Sequence, residues 1–593
     1  MDAAFSVFEI SWEVCNKVGG IYTVVRSKAG RMMENYQDSY FVVGPYFPKK
    51  AIGEFSEKPV PDFLREAFDS LRKEGLVCHY GTWMVEGEPN AILIDFAGFT
   101  ARTNDIKREL WDLFKVDSLG TNYFDFDEPV VWAYSSGLLV ERLSKGRRVI
   151  AHFHEWLSGA GLLYLKAKNA DAATVFTTHA TTIGRSMASA DMDLYGLFGK
   201  VDPDKEAYRL HCHPKHQTEK AAALQADVFT TVSEITGMEA SHLLGRKPDV
   251  ILPNGLNIDK FPTFDDASIK HSVFRWRLHE FMMYYFFPYY TFDLDNSLVY
   301  FLSGRYEFHD KGVDIFIRAL ANLNNRLKQD KSEKTVVAFF WIPGNIRAIK
   351  PELVEARTFY EDLKESIDYS SGHVRERLLY LFISQRKITD EEIIGKDVML
   401  EIRRKVSRLY RKGNPPLSTH DLYDEGSDQI ISSFRSLGLN NSREDRVKVV
   451  FYPIYLTGAD RLLDLNYYEA MQGAHLGVFP SYYEPWGYTP LEAGALGTAC
   501  VTTDLAGFGR YIAKESQRKK EQGIFVIPRL GKSEDEVVAS LSDVLYGYSQ
   551  LSKEDRIKNK IGAHHLASHA DWKNFIKYYL DAHKLAAQKK WGK

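Results

Sequence analysis

The run Leu298-Val-Tyr-Phe-Leu-Ser303-Gly-Arg-Tyr-Glu-Phe-His-Asp-Lys-Gly312 decides the fold. Its first five residues are apolar without a break, as in a strand buried on both faces. A polar, glycine-containing turn and then helix-like sequence follow. The same unit recurs along the chain. Upstream it starts at Phe5–Ile10, Tyr40–Val43, Ala91–Phe96, Arg148–Phe153, Thr174–Thr178, Asp227–Val232 and Asp249–Leu252. Downstream it returns at Val336–Ile342, Val447–Tyr452, Leu476–Phe479, Ala499–Thr502 and Ile524–Ile527. Strands alternating with helices read as βαβ units on mainly parallel sheets. Pro253-Asn254-Gly255 separates the two series. The reading is therefore an α/β chain of two doubly wound domains, 1–255 and 256–570, with ligands held at the carboxyl ends of the strands and in the cleft between domains.

Composition narrows the function. The 593 residues include 76 Lys+Arg and 79 Asp+Glu, a net charge of −3. A near-neutral chain does not suit general nucleic-acid binding, which needs a basic surface. Cys15, Cys78, Cys212 and Cys500 lie far apart, which fits a reducing cytoplasm better than a disulfide framework. No apolar stretch approaches a membrane span and no secretory signal opens the chain, so no membrane partner is expected. Aromatic residues make up 13%, which serves a core or a sugar site equally.

Two stretches depart from the rhythm. Residues 351–412 read as helical throughout, with Thr389 and Glu392 spaced as a capping box and a stripe of Ile394, Val398, Ile402 and Leu409. This is either a surface insertion or an oligomerisation element. The segment 571–590 carries Phe575, Tyr578, Tyr579, Ala582 and Ala586 on one face and must pack on something.

Four turns after strands carry chemistry. Lys17-Val-Gly-Gly20 can bring backbone and a helix N-terminus to a phosphate, or be a plain tight turn. Arg305 and Lys311, six apart, suit a departing diphosphate, or are two surface cations. Ser481-Tyr-Tyr-Glu484-Pro-Trp-Gly-Tyr-Thr-Pro-Leu-Glu492 concentrates Trp486, Gly487, Tyr488, Thr489 and two carboxylates in one turn, too many for a simple helix cap. His179, after Thr174–Thr178, can donate to a sugar hydroxyl, or be structural; His154-Glu155 is placed alike. His211, Cys212, His213 and His216 lack tetrahedral metal spacing.

Together, Asn16-Lys-Val-Gly-Gly-Ile, Phe176-Thr-Thr-His-Ala-Thr, Ser303-Gly-Arg-Tyr-Glu-Phe, Phe479-Pro-Ser-Tyr-Tyr-Glu-Pro-Trp-Gly-Tyr-Thr-Pro, Pro253-Asn-Gly-Leu-Asn and Asn414-Pro-Pro-Leu-Ser-Thr-His resemble the animal and fungal type of glycogen synthase. The resemblance runs from about Phe5 to Ala587. It implies a GT-B fold, with the helix 571–590 returning to the first domain. It implies retaining transfer of glucose from UDP-glucose to the non-reducing end of an α-1,4-glucan, without metal or cofactor; Arg305 and Lys311 would supply the metal's charge. Glu484 would be the essential carboxylate, a front-face ion-pair stabiliser more than a nucleophile, since no second carboxylate is paired with it in glycosidase fashion. His179 would contact the glucose. Lys17, Gly20 and Arg185 would line the donor phosphates, and Trp486, Gly487, Tyr488 and Thr489 would surround the sugar nucleotide. Glu492 would hold the ribose, Tyr467 would stack on uracil, and Glu155 would face the acceptor.

The resemblance also implies a glucose 6-phosphate site from His271, Arg275, His475, Arg556 and Lys560. Further family arginines fall here at Gly562 and His565, a departure that weakens the regulatory switch. The chain starts at the first strand and stops after the last helix, without the phosphorylated extensions of animal members, so little phospho-control is expected. The helical insertion is similar to the family's tetramer-forming helices. A related transferase using ADP-glucose or another acceptor is the runner-up; a non-catalytic glucan-binding protein would have lost Glu484, Arg305, Lys311 or His179.

Overall fold

The computed structural model describes residues 5–592 apart from 263, 386–388 and 520. Nine strands form the first sheet: β1 Ser6–Ile10, β2 Tyr40–Pro45, β3 Phe55–Glu57, β4 Val77–Trp83, β5 Asn90–Asp95, β6 Val149–His154, β7 Ala172–Thr178, β8 Val228–Thr231 and β9 Val250–Ile251. Their order is β3-β4-β5-β2-β1-β6-β7-β8-β9. Six strands form the second: β10 Ser297–Ser303, β11 Thr335–Trp341, then, after the pair β12 Ile346–Ile349 and β13 His420–Leu422, β14 Val447–Phe451, β15 Leu476–Val478, β16 Ala499–Thr503 and β17 Ile524–Ile527. Their order is β14-β11-β10-β15-β16-β17, all parallel.

The order places the crevices. β1 pairs in parallel with both β2 and β6, and the chain crosses from β1 to β2 on one side and from β6 to β7 on the other. Loops after β1 and β6 therefore splay apart at their carboxyl ends. The second sheet reverses in the same way at β10, between β11 and β15. The loops at these two reversals are the ones whose residues carry the motifs.

β2, β6, β7, β10 and β11 are buried along their whole length, which is why β2, β10 and β11 read as near-continuous apolar runs. The sequence reading omits β3 and β4, an antiparallel edge. β4, Val-Cys-His-Tyr-Gly-Thr-Trp, has no apolar run because its first half is only partly buried. The β12–β13 pair is also omitted. It is antiparallel and clips together the entry and exit of the helical insertion.

That insertion is three helices, Pro351–Ile383, Asp390–Ile394 and Lys396–Leu409. Lys405 Nζ ties the two long ones together at Asp362 Oδ1 (2.8 Å) and Ser366 Oγ (2.6 Å). At the capping-box position Glu392 N donates to Thr389 O at 3.1 Å. The final helix, Trp572–Trp591, packs on the helix Gly20–Tyr36 and on β6 to β9 of the first sheet. Trp572, Phe575, Tyr579, Ala582, His583 and Ala586 are its buried face. Gly255 allows the crossing, since a Cβ there would lie 2.6 Å from the Trp572 ring. Among the described residues no helix is long and apolar enough to cross a membrane.

Phe575 joins this helix to the site, its ring 6.0 Å from Trp486 and 5.1 Å from Tyr511. Phe575→Ala is expected to cost about 3–5 kcal/mol, the usual toll of truncating a buried aromatic. Thermal or urea unfolding measures it.

Candidate active site

A cleft of about 540 Å³ lies between the carboxyl ends of the two sheets and is lined from both halves. Glu13, Gly19 and Gly20 come from the loop after β1, Glu155 from that after β6, and His179 and Arg185 from that after β7. Arg305, Glu307, Asp310 and Lys311 come from the loop after β10, and Glu484, Gly487, Tyr488 and Thr489 from that after β15. Of the sequence-expected donor-site residues, Lys17, Tyr467 and Glu492 are not in its wall.

Glu484 and Lys311 form its centre. Lys311 Nζ lies 2.5 Å from Glu484 Oε2, both side chains about four-fifths buried. Gly312 sets this contact. It sits at φ +68°, and a Cβ on it would lie 2.0 Å from Pro480 O. The loop after β10 thus presses directly against the end of β15. Asp310 O accepts Tyr482 N at 2.9 Å and Tyr483 N at 3.2 Å, which closes the same seam. Arg305 is held at 2.9 Å by Glu307 and stays largely exposed, reaching over the cleft.

Two of the helices that begin at the cleft differ in their caps. The helix Gly20–Tyr36 is already capped: Glu13 Oε2 accepts Gly19 N and Tyr22 N, each at 2.8 Å. Burial pushes the Glu13 carboxyl up despite those bonds. An arriving phosphate would have to displace this carboxylate. Lys17 is exposed, its ammonium 5.9 Å from the Tyr22 ring centre. The helix Tyr488–Ala495 has no side-chain cap. Gly487, at φ +106°, turns the chain into it beside Glu484. Its free N–H groups and dipole, next to Lys311, make the better anion seat.

Trp486, Gly487, Tyr488 and Thr489 all line the cleft. The Trp486 ring is buried against Phe508, Tyr511 and Phe575, so the residue can offer the cleft its backbone but not its ring. Tyr488 OH donates across to Gly255 O at 3.3 Å. Tyr467 OH and Tyr468 OH donate to the two oxygens of Glu492 at 3.3 and 3.0 Å. Burial lifts the Glu492 carboxyl to about 7 against those bonds.

In and behind the first-half wall, buried acids surround one arginine, Arg185. Glu155 has φ +62°, a strained conformation for a side-chain-bearing residue. Its Oε1 turns back to accept His179 N at 2.8 Å and Ala180 N at 2.9 Å. Glu219 takes Thr182 N at 2.8 Å. Glu239 takes Thr181 Oγ1 at 2.8 Å and, from the other half, Tyr483 OH at 3.2 Å. Burial raises all three carboxyls, Glu239 to about 7. Arg185 stays charged: burial opposes it, but Tyr483 and Glu155 outweigh that. Sequence reasoning missed Glu13, Glu219, Glu239 and Tyr483: Glu219 and Glu239 lie inside helices, Glu13 and Tyr483 in loops, and none belongs to a spacing pattern.

His271, Arg275, His475, Arg556 and Lys560 gather at a second place. The His271 and His475 ring centres are 5.8 Å apart. His271 Nδ1 lies 2.5 Å from Gln472 O, and Arg556 Nη1 donates to Leu551 O at 2.7 Å. Burial, then Arg275 and Arg556, pull Lys560 down to about 7. Burial, then Lys560, pulls His271 to about 3. Arg275 Nε, His475 Nε2 and His279 Nε2 are buried without partners, so His279 belongs with the group. Gly562 and His565 are used otherwise. A Cβ on Gly562 would meet Gln522 O at 1.8 Å, and His565 Nδ1 lies 2.6 Å from Glu521. The His211–His216 segment is not a cluster of ligands: His213 stacks on Tyr208 and His216 bonds Asp204.

Two mainly parallel sheets facing across a cleft, with the last helix returned to the first, are the GT-B glycosyltransferase architecture. The catalytic domain of starch synthase IV from Arabidopsis thaliana shares it at a TM-score of 0.51 and 14% identity, over 98% of this chain and 100% of that one. The family profile described as glycogen synthase matches residues 9–593. The liver glycogen [starch] synthase of Homo sapiens is 37% identical over 98% of this chain and 83% of its own length. That of Neurospora crassa is 35% identical over 98% and 84%. The chain belongs to the glycogen synthase family.

Gly312→Ala tests the seam. The left-handed backbone costs an alanine about 1–2 kcal/mol, and the clash with Pro480 adds to it. Gly531→Ala, at φ +70° with open space around the Cβ, carries the first cost alone. Thermal melts are expected to rank Gly312→Ala clearly below Gly531→Ala.

Proposed function

We propose that the chain extends an α-1,4-glucan such as glycogen in the cytoplasm, moving glucose from UDP-glucose to the non-reducing end with retention and without metal. The observation that carries this reading is the Lys311–Glu484 pair beside an uncapped helix start in a cleft of a glycogen synthase family member. Glu484 stabilises positive charge developing on the sugar. Lys311, Arg305 and the N–H groups of Tyr488 and Thr489 receive the negative charge on the departing diphosphate. Tyr467 and Glu492, bonded to each other outside the cleft wall, take the uridine end, and Arg185 and Glu155 face the glucan. A donor carrying ADP, or another acceptor, is the less favoured reading. The four free cysteines suit the cytoplasm. Assembly as a homotetramer through the helical insertion is supported by its exposed Tyr369, Phe382 and Ile383. Release of UDP from UDP-glucose in the presence of glycogen tests the reading. Glu484→Gln is expected to lower the rate by about 10²–10³-fold, the range for losing one transition-state electrostatic contact. Equal rates would overturn the mechanism.

The second cluster is proposed to bind glucose 6-phosphate, because several cation-bearing groups crowd together where burial and mutual repulsion disfavour their charge. Lys560, at about 7 in the fold against 10.5 as a free side chain, binds fewer protons folded than unfolded. Its charge therefore penalises the fold fully below pH 7, and the penalty fades as pH rises towards 10. Lys560→Met is expected to raise the melting temperature most at or below pH 7 and to abolish the thermal shift given by glucose 6-phosphate. In the wild type that shift should shrink as pH rises above 7, because the phosphate must draw a proton onto Lys560. A shift that grows with pH, or survives in Lys560→Met, would contradict this.

A further inference from the structure

His179 is the cleft end of a buried hydrogen-bonded chain that starts two strands away. Glu9, on β1, is fully buried, and both of its oxygens accept: Lys28 Nζ on Oε1 and Tyr40 OH on Oε2. His154 Nε2, on β6, lies 2.6 Å from Glu9 Oε1. His154 Nδ1 lies 2.9 Å from His179 Nε2. The His179 ring lines the cleft, and among the described residues its Nδ1 has no partner.

The protons of this chain follow from valence. A carboxylate held by an ammonium can only accept, so His154 Nε2 carries a hydrogen. A neutral imidazole then offers Nδ1 as an acceptor, so His179 Nε2 carries the next one. His179 Nδ1 is left as a bare lone pair. Burial, then neighbouring His154, disfavours a charge on His179. Burial also disfavours one on His154. Burial alone would raise Glu9, but Lys28 and the bond from His154 hold it well below the usual carboxylate range. The adjoining chain has no such polarity. His152 stacks on His154 at 4.4 Å and bonds Thr177 at 2.6 Å and His583 at 3.1 Å, groups that can each donate or accept. Only the chain anchored on Glu9 has one direction.

We propose that Glu9 and His154 are positioning residues that fix His179 as a hydrogen-bond acceptor towards the cleft, so that the site selects a donating hydroxyl on the transferred hexose. This rests on the reading of the cleft as a hexosyl-transfer site. It reverses the sequence expectation that His179 donates. A neutral ring with its lone pair inward also keeps a positive charge away from a sugar carbon that is itself becoming positive. Lys28 lies 4.2 Å from the centre of the Tyr579 ring, so the returning helix closes over the start of the chain.

Selective ¹⁵N labelling of histidine reads the tautomer directly: His179 should show a protonated Nε2 and an unprotonated Nδ1 before any substrate is added. Kinetics with UDP-glucose and its 3-, 4- and 6-deoxyfluoro forms read the consequence, since fluorine cannot donate. One of the three should lose about ten- to a hundredfold in kcat/KM, as expected for a desolvated acceptor left unpaired. In Glu9→Gln the amide can donate to His154 and reverse the chain, so the ¹⁵N pattern should invert and that penalty shrink below about threefold. Glu9→Gln/Lys28→Met keeps the buried charge balanced and guards against a variant that merely unfolds. A protonated Nδ1 in the wild type would overturn the proposal. So would the same fluorine penalty in wild type and both variants, or a uniform loss on all donors with the tautomer unchanged. Failure of the wild type to turn over UDP-glucose would instead remove the transfer reading and leave the tautomer result standing.

Discussion

The cleft depends on the contact of Gly312 with the end of β15. A left-handed glycine backbone pressed against Pro480 O brings Lys311 to 2.5 Å from Glu484. Any Cβ at that position would force the two loops apart. Each loop leaves a strand where its sheet changes direction, so the topology brings them near and the glycine sets the last ångströms. Asp310 O, accepting two successive N–H groups from the β15 loop, holds the seam from the other side.

Both walls of the cleft mix charges. The second-half wall sets the cations Arg305 and Lys311 and the uncapped helix start at Tyr488 beside its own carboxylates, Glu307, Asp310 and Glu484. The first-half wall offers Glu13 and Glu155, both raised by burial, and one cation, Arg185. Glu13 already caps the helix Gly20–Tyr36. Tyr483 reaches from the β15 loop to Glu239 and Ser189 reaches to Asp310, so both walls are held in register by bonds between uncharged donors and acids.

Much of this was legible in the sequence, for a physical reason. Parallel strands buried on both faces are mostly apolar, so the strands that build both crevices stood out, and the turns after them carried the cleft residues. What escaped was polar and solitary. β4 is only partly buried in its first half and mixes His79, Gly81 and Thr82 with its apolar residues. Glu13, Glu219 and Glu239 find partners only across elements, which spacing along one chain does not encode. Glu9 did leave a signal: an acid inside an apolar strand run has to be paired, and its partners Lys28 and His154 lie on other elements. Trp486 lies in the cleft wall, as its motif-rich turn suggests, while its ring fills the core against the returning helix.

The central claim is that the diphosphate sits at the second helix start and not at the first. A structure with UDP bound measures this directly. The account expects phosphate oxygens within hydrogen-bond distance of the Tyr488 and Thr489 N–H groups and of Lys311 Nζ, with Lys311 drawn off Glu484 and Glu13 still capping the helix Gly20–Tyr36. A diphosphate seated on that first helix with Glu13 displaced, or Lys311 still bound to Glu484, would contradict it.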